Sequence, residues 1–581
     1  MILQALVKYY ENLAEQGKVS RPGWCHEKVS YEINLSKTGE VLGITSRKVE
    51  DIRGKKTIWV PAYVEVPERV HRSGYEIAAN FLCDNAKYLM GIDQDDKPQR
   101  VLECFKKTRE KHLDILQSTQ GKVAQAVLNY FNNWDPTISV ENPVIRENFD
   151  KLIEKSNLIF CVEGQEVQED PEIQSCWDNY RKQSAEDIKG ICLVTGEKTE
   201  ISRTHKMIKG IPGAQSSGAS LISFNALAFE SYERKQSYNA PVGKYAEFAY
   251  TTALNYLLSQ RDYTFSLGDS MIVYWAESGR EQYQRCFSNM FRPTKDNQKK
   301  LKDIFDSLKE DTKIYLEDAE MDPKQNFYIL ALAPNAARLS VRFFYVNSFG
   351  KIIQNIADHY ERLEIVKPAR EEQDYLGIRD MLNETVNQKS KDKTPVPNMA
   401  ALVLQAILSG GRYPASLYAN TLIRIRAECG NVNWKRAAII KAVLIKNYNC
   451  MEGEAFMESN DDCKDVPYIL GKLFCVLEEV QWEASNRKIK TTIRDSYFNS
   501  ACATPAMIFP VLLKLKNSHM KKLERDKIGL KVDLEKKIAC LMEKLPPKLP
   551  ERLTLQEQGE FNIGYYHQQQ EKYKKVVSNK L

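Results

Sequence analysis

Residues 386–398 read VNQKSKDKTPVPN, and the chain changes character across them. The stretch is polar and charged, and Pro395 and Pro397 deny it a regular helix or a paired strand, as in a linker. Downstream, apolar residues recur at helical spacing: Leu470, Leu473, Phe474, Leu477 and Val480, then Leu530, Leu534, Ile538 and Leu541. A polar turn at Ser409-Gly410-Gly411-Arg412 separates two such segments, as in an antiparallel bundle. Upstream, the signals are mixed. Helical spacing at 2–14, 76–90, 99–117 and 248–258 alternates with β-branched, strand-like runs at 29–35, 57–66, 327–333 and 339–346. The expected class is α+β, with mixed N-terminal domains followed by an all-α C-terminal helical bundle. We assign an α+β domain to 1–200 and an α+β region with a glycine-rich loop at 210–220 to 201–385. The linker spans 386–398 and the bundle 399–581.

The chain has 581 residues, of which 43% are hydrophobic and 10% aromatic, enough apolar surface to fold and too much for wholesale disorder. No apolar run approaches the ~18 residues of a membrane span; the best, 505–513, is broken by Pro510. Lys8 and Glu11 interrupt the first residues, so a secretory signal is not expected there. Thirteen cysteines, an odd number thinly spread, point to a reducing cytoplasm and not to a disulfide framework.

Lys and Arg exceed Asp and Glu by 83 to 77, a net charge of +6, but the distribution is uneven. Residues 141–200 hold fourteen acids against seven bases, whereas 201–229 hold no acid beside Arg203, Lys206 and Lys209. Residues 402–448 carry seven bases and one acid, Glu428, and 514–548 carry eleven bases against five acids. Stretches without acids cannot neutralise themselves locally, so a polyanion is the leading partner class.

Catalytic motifs fail on their decisive residues. Gly213 to Ser220 has the spacing of a phosphate-binding loop but places Ala219 where lysine is required. Ala214-Gln215-Ser216-Ser217-Gly218 resembles a nucleophile elbow, yet the preceding ISRTHKMIK is too polar for the buried strand that should carry it. Asp358-His359 could complete a triad only on paper. Cys176, Cys192 and His205 have irregular gaps and no evident fourth ligand. The expectation is a binding protein, not an enzyme, with no cofactor and no metal. A stand-alone metal-dependent nuclease or hydrolase remains one alternative, and a purely structural RNA-binding scaffold another.

Nucleic-acid chemistry fits better. Between residues 206 and 225, Gly210, Gly213 and Gly218 allow close backbone approach, and Gln215, Ser216, Ser217 and Asn225 offer polar groups for base edges, flanked by Lys206 and Lys209. Arg338 and Arg342 lie beside Asn335 and Ser340 as a phosphate grip. Arg412, Arg424, Arg426, Lys435, Arg436 and Lys441 would form a basic track along the helical half, suited to a sugar–phosphate backbone.

At these segments the chain resembles the large subunit of the type I-C CRISPR effector, the Cascade complex. The resemblance runs nearly end to end. It includes MILQALVKYYENL (1–13), CLVTGE (192–197), GAQSSGASLISFNALAFESY (213–232), NAPV (239–242), FAYTTALNYLL (248–258) and LAPNAARLSVRFF (332–344). It continues through ILSGGRYPASLY (407–418), RIRAE (424–428), KRAAIIKA (435–442), YILGKLF (468–474) and FNIGYYHQ (561–568). Two positions depart: Glu233 stands where glycine is usual, and Cys502 where serine is commoner. The resemblance implies a non-catalytic subunit that recognises the PAM, a short motif in target double-stranded DNA, helps to open the duplex and holds the displaced strand. It implies DNA contact at Lys206, Lys209, Gly213, Gln215, Ser216, Ser217, Asn225 and Asn239. The implied partners are guide CRISPR RNA, a backbone subunit, a handle-processing subunit, a small subunit made from the same gene, and a recruited helicase–nuclease; no membrane is involved. Met381 and Met399, which flank the linker, are the starts it suggests for that small subunit.

Overall fold

Alternation along Trp24–Leu35 puts Tyr31, Ile33 and Leu35 on a buried face, and this strand organises the first sheet. It pairs antiparallel with Lys56–Pro67 and Val41–Ser46, and parallel with Asn157–Val162. Lys48–Arg53 forms one edge beyond Lys56–Pro67. The parallel strand reads NLIFCV and is buried over nearly its whole length, as strands covered on both faces are. Phe105, Ile115, Val127 and Phe131, from helices Pro98–Leu116 and Lys122–Asn133, complete this core.

The computed structural model describes residues 1–53, 56–70, 72, 77–94, 98–183, 188–291, 293, 297–309, 314–316, 319–391, 393–396, 398–450 and 456–578. Two compact units divide the chain: Tyr10–Thr204 with Phe224–Ala253, and Met1–Tyr9 with His205–Ser223 and Leu254–Leu581. The first holds the sheet just described.

The second unit combines a four-stranded antiparallel sheet with the helices. In order across the sheet its strands are Arg338–Ser348, Asn326–Asn335, Ser270–Ala276 and Thr264–Leu267. Phe327, Ile329 and Ala331 face helix Phe349–Leu363, whose first turn is capped by the Ser348 hydroxyl accepting from Lys351 N. Among the described residues, eight α-helices follow the linker, from Met399–Ser409 to Leu555–Ser578. The protein is therefore mixed: strands and helices in front, helices behind. One apolar core runs across the linker, with Ile378 and Met381 before it and Met399 and Val403 after it, so the linker lies inside a unit.

Helices Val466–Ala484 and Leu555–Ser578 approach backbone to backbone. A Cβ on Gly471 would lie 2.0 Å from Phe561 O, and one on Gly564 would lie 2.0 Å from Tyr468 O. Only glycine fits at that crossing.

Helical spacing misleads at 76–90. The described part of that segment is irregular apart from the single turn Ala86–Leu89. The reason is polar. The Asp84 carboxylate is fully buried and accepts from Arg72 and from Asn80 Nδ2 at 2.9 Å, while Asp84 N and O pair with Leu158. Satisfying a buried carboxylate outweighs helical propensity. No helix among the described residues is long and apolar enough to cross a membrane.

Candidate nucleic-acid interface

The acid-free stretch becomes a pinned, exposed loop. Ile208 and Ala219 exchange two backbone hydrogen bonds of 2.9 Å, closing the loop 209–218 at its neck. Gly218 makes the neck possible, with φ of +105° and a backbone so close that a Cβ would meet Met207 Cβ at 2.8 Å. Turns tighten the interior, with Gly218 N donating to Gln215 O and Ala214 N to Ile211 O. On one side Asn255 clasps the loop, accepting from Lys209 N at 2.8 Å and donating to Met207 O. On the other, Ser220 bridges to the tip of the 326–348 hairpin: Ser220 N donates to Ala337 O and Leu339 N to Ser220 O. Lys209, Gly213, Gln215, Ser216 and Ser217 are exposed, Lys206 is half-buried, and the bridge brings Arg338 beside the loop's base.

Asn225 and Asn239 belong to the other unit. Asn225 is exposed. The Asn239 amide is fully engaged: Oδ1 accepts from Ser231 N at 2.8 Å and Ser231 Oγ at 3.3 Å, and Nδ2 donates to the carbonyls of Arg234 and Gln236. Its side chain holds its own loop together and has no bonding capacity left for a base edge.

The basic track of the helical half changes most. Lys441 is only 2% exposed; its ammonium donates to Glu364 O at 2.7 Å and Arg362 O at 3.4 Å, and burial pushes its pKa down to about 8. The Arg436 side chain is 3% exposed and bonds Glu384 at 2.9 Å, Glu428 at 2.8 Å and Asn431 O. Burial opposes ionisation of Glu428, but Arg436 outweighs it and holds the carboxyl below its usual range. Arg436 and Lys441 therefore leave the surface track: each is sealed against acceptors of its own chain. The others are partly committed. Arg424 pairs with Glu428 at 3.5 Å, Arg426 bonds the Gln558 side chain, Lys435 lies 3.7 Å from Asp380, and Arg342 pairs with Asp269 at 2.6 Å. Arg412 is exposed.

A different group of cations carries unspent charge. Helices Pro505–Asp526 and Ile528–Glu543 are consecutive and pack together. On them Lys514, Lys521, Lys522, Arg525 and Lys536 are exposed, Lys516 is half-buried, and none has a hydrogen-bonded or ion-paired acceptor among the described residues. Their neighbours Lys527, Lys531 and Lys537 are paired, with Glu483, Glu524 and Asp533. The charge imbalance of 514–548 signalled this group in sequence; it named no residues because spacing alone does not show which cations meet carboxylates.

His359, His205 and Cys192, from the motifs weighed as catalytic or metal-binding, each lie in distinct local surroundings. His359 is buried, its Nδ1 2.6 Å from Tyr413 Oη, and burial pushes its pKa down to about 3. His205 is likewise pushed down to about 4 by burial. Burial disfavours a Cys192 thiolate, yet N–H groups of Gly243, Thr195 and Val194 aimed at the sulfur hold its pKa below the ordinary value. Among the described residues, no three His, Cys, Asp or Glu side chains gather as a metal site.

A search of curated proteins returned no match. A family model described as CRISPR-associated protein (Cas_Csd1) matches residues 6–573. That span takes in the pinned loop, the 326–348 hairpin and the helical bundle up to residue 573, and the chain belongs to the CRISPR-associated Cas_Csd1 family.

Proposed function

We propose that this chain is the non-catalytic large subunit of a type I-C Cascade, an RNA-guided DNA surveillance complex. In this reading the loop 209–218 recognises the PAM in target duplex DNA, and the cations of the helical half hold the displaced strand. The observation that carries it is the loop itself. It is an exposed, acid-free segment with amide, hydroxyl and ammonium groups, fixed at both ends by backbone bonds and set beside Arg338 in a chain of a CRISPR-associated family. Fixed donors and acceptors are what base-edge readout requires, and glycines let the backbone share in it. The guide RNA, the backbone, handle-processing and small subunits and a recruited helicase–nuclease are the partners. Mass spectrometry of the purified assembly identifies those that co-purify.

The test separates reading from gripping. Gln215→Ala and Ser216→Ala each weaken binding of the guide-loaded complex to duplex with the correct PAM by about 5- to 150-fold where the side chain meets a base edge, and leave binding to a scrambled PAM nearly unchanged. Full PAM discrimination in these variants, measured by electrophoretic mobility shift, would overturn the assignment.

A further inference from the structure

The segment clasped by Asn239 is built around an unusual turn. Arg234 N donates to Ser231 O at 3.0 Å, and the two central residues, Tyr232 and Glu233, both have positive φ, +52° and +58°. Two successive left-handed residues mark the turn geometry that favours Asn-Gly, because a Cβ there meets the backbone. A tyrosine and a glutamate occupy it instead, and Gln236 adds a third left-handed residue at +49°. The four hydrogen bonds of the Asn239 side chain hold both ends of the turn, and Arg203 Nε fixes Gln236 through its side-chain oxygen at 2.6 Å.

Strain of this kind persists where the surroundings over-determine it. Here it is not offset by packing of the tyrosine ring. Tyr232 is 93% exposed, and Leu227 and Phe229 nearby are exposed as well. Arg234 and Lys235, two and three residues after Tyr232, are exposed and have no side-chain acceptor among the described residues. A freely accessible aromatic ring on a tied turn, with unspent cations two and three residues further along the chain, is the arrangement that takes a nucleobase by stacking while the cations meet its phosphates.

We propose that Tyr232 is a stacking residue, whose ring takes the face of a DNA base freed from pairing, with Arg234 and Lys235 on the adjoining phosphates. This rests on the reading of the chain as a DNA-binding subunit and adds an interaction specific to opened DNA. The rings of tyrosine, phenylalanine and tryptophan all stack, so the phenolic hydroxyl is dispensable.

The experiment uses the full-length purified chain and a single-stranded oligonucleotide carrying 2-aminopurine, whose fluorescence is quenched on stacking. Tyr232→Phe and Tyr232→Trp retain binding and quenching. Tyr232→Gly loses the quenching and about 5- to 150-fold in affinity, while its melting temperature equals or exceeds that of the parent, because glycine relieves the left-handed strain. The stability readout separates loss of the ring from loss of the fold. Wild-type quenching and affinity in Tyr232→Gly would overturn the proposal. So would a loss confined to assembly with the other subunits, which would make the ring a protein-binding group. PAM discrimination is scored separately on duplex DNA. If wild-type protein shows none while Tyr232→Gly still loses the single strand, the PAM reading fails and stacking stands.

Discussion

Helices Ala415–Ala427 and Trp434–Tyr448 and helices Pro505–Asp526 and Ile528–Glu543 are both rich in Lys and Arg, yet their cations are placed in opposite ways. On the first pair the charges turn inward or sideways. Lys441 ends on two backbone carbonyls, Arg436 on two carboxylates and a carbonyl, Arg424 on Glu428 and Arg426 on the amide of Gln558. On the second pair six cations meet no acceptor of this chain among the described residues. A buried cation with its acceptors in place is part of the core. An exposed, unmatched one is held in place by solvent and counterions, which a polyanion displaces at a gain in entropy. The sign of a charge run thus says little until its acceptors are known.

The sharpest way to break this comparison is to neutralise the second surface. Replacing Lys514, Lys516, Lys521, Lys522, Arg525 and Lys536 by glutamine removes at most six cation–phosphate pairs. For single strands each pair removed flattens the log–log salt dependence by about 0.7, so affinity at 0.1 M salt falls by roughly four orders of magnitude if all six engage. Fluorescence anisotropy across a salt series reads both quantities. An unchanged slope would remove this face from DNA binding. The counterpart on the first surface is Arg436→Ala, which takes the buried guanidinium from the Glu384 and Glu428 carboxylates and leaves them with Asn433 Nδ2 and Arg424 among their remaining partners. It costs about 3 kcal/mol of stability by denaturant unfolding, with DNA affinity per folded molecule unaltered; weakened DNA binding without loss of stability would reinstate Arg436 on the DNA-binding surface. The smallest effect is titratable. Burial lowers the Lys441 pKa from 10.5 to about 8, so between those values the unfolded chain binds more protons than the folded one and stability rises with pH. The penalty is full below about pH 8 and gone above about 10.5. Relative to Lys441→Met, the wild-type melting temperature climbs across that window, and parallel curves would show that the amine is solvated.

The fold was legible wherever apolar periodicity dominated. The segment from Leu470 to Val480 lies inside helix Val466–Ala484, and the strands expected at 327–333 and 339–346 are the paired hairpin. It was illegible at 76–90, where one buried carboxylate, Asp84, organises the chain through partners that periodicity does not register. The candidate site divides in the same way. Glycines and small polar residues in an acid-free stretch do announce the exposed loop 209–218. The count of one acid among seven bases in 402–448 concealed that Glu428 serves both Arg424 and Arg436. Carbonyls and amides, which carry no net charge, accept hydrogen bonds from Lys441, Arg436 and Arg426. Asn239 is a similar case, because an asparagine that reads DNA and one that ties a turn are the same letter.

The backbone approach through Gly471 and Gly564 bears on the order of events during folding. It joins segments separated by three intervening helices, so the groove along Val466–Ala484 stays open while Ile493–Ala503, Pro505–Asp526 and Ile528–Glu543 are synthesised. Tyr468 and Phe474, which meet His567, Phe561 and Tyr565, are without their final cover until Leu555–Ser578 arrives. A pairing of such long sequence separation forms late and slowly. During translation the nascent bundle therefore exposes an apolar furrow, the kind of surface to which chaperones attach.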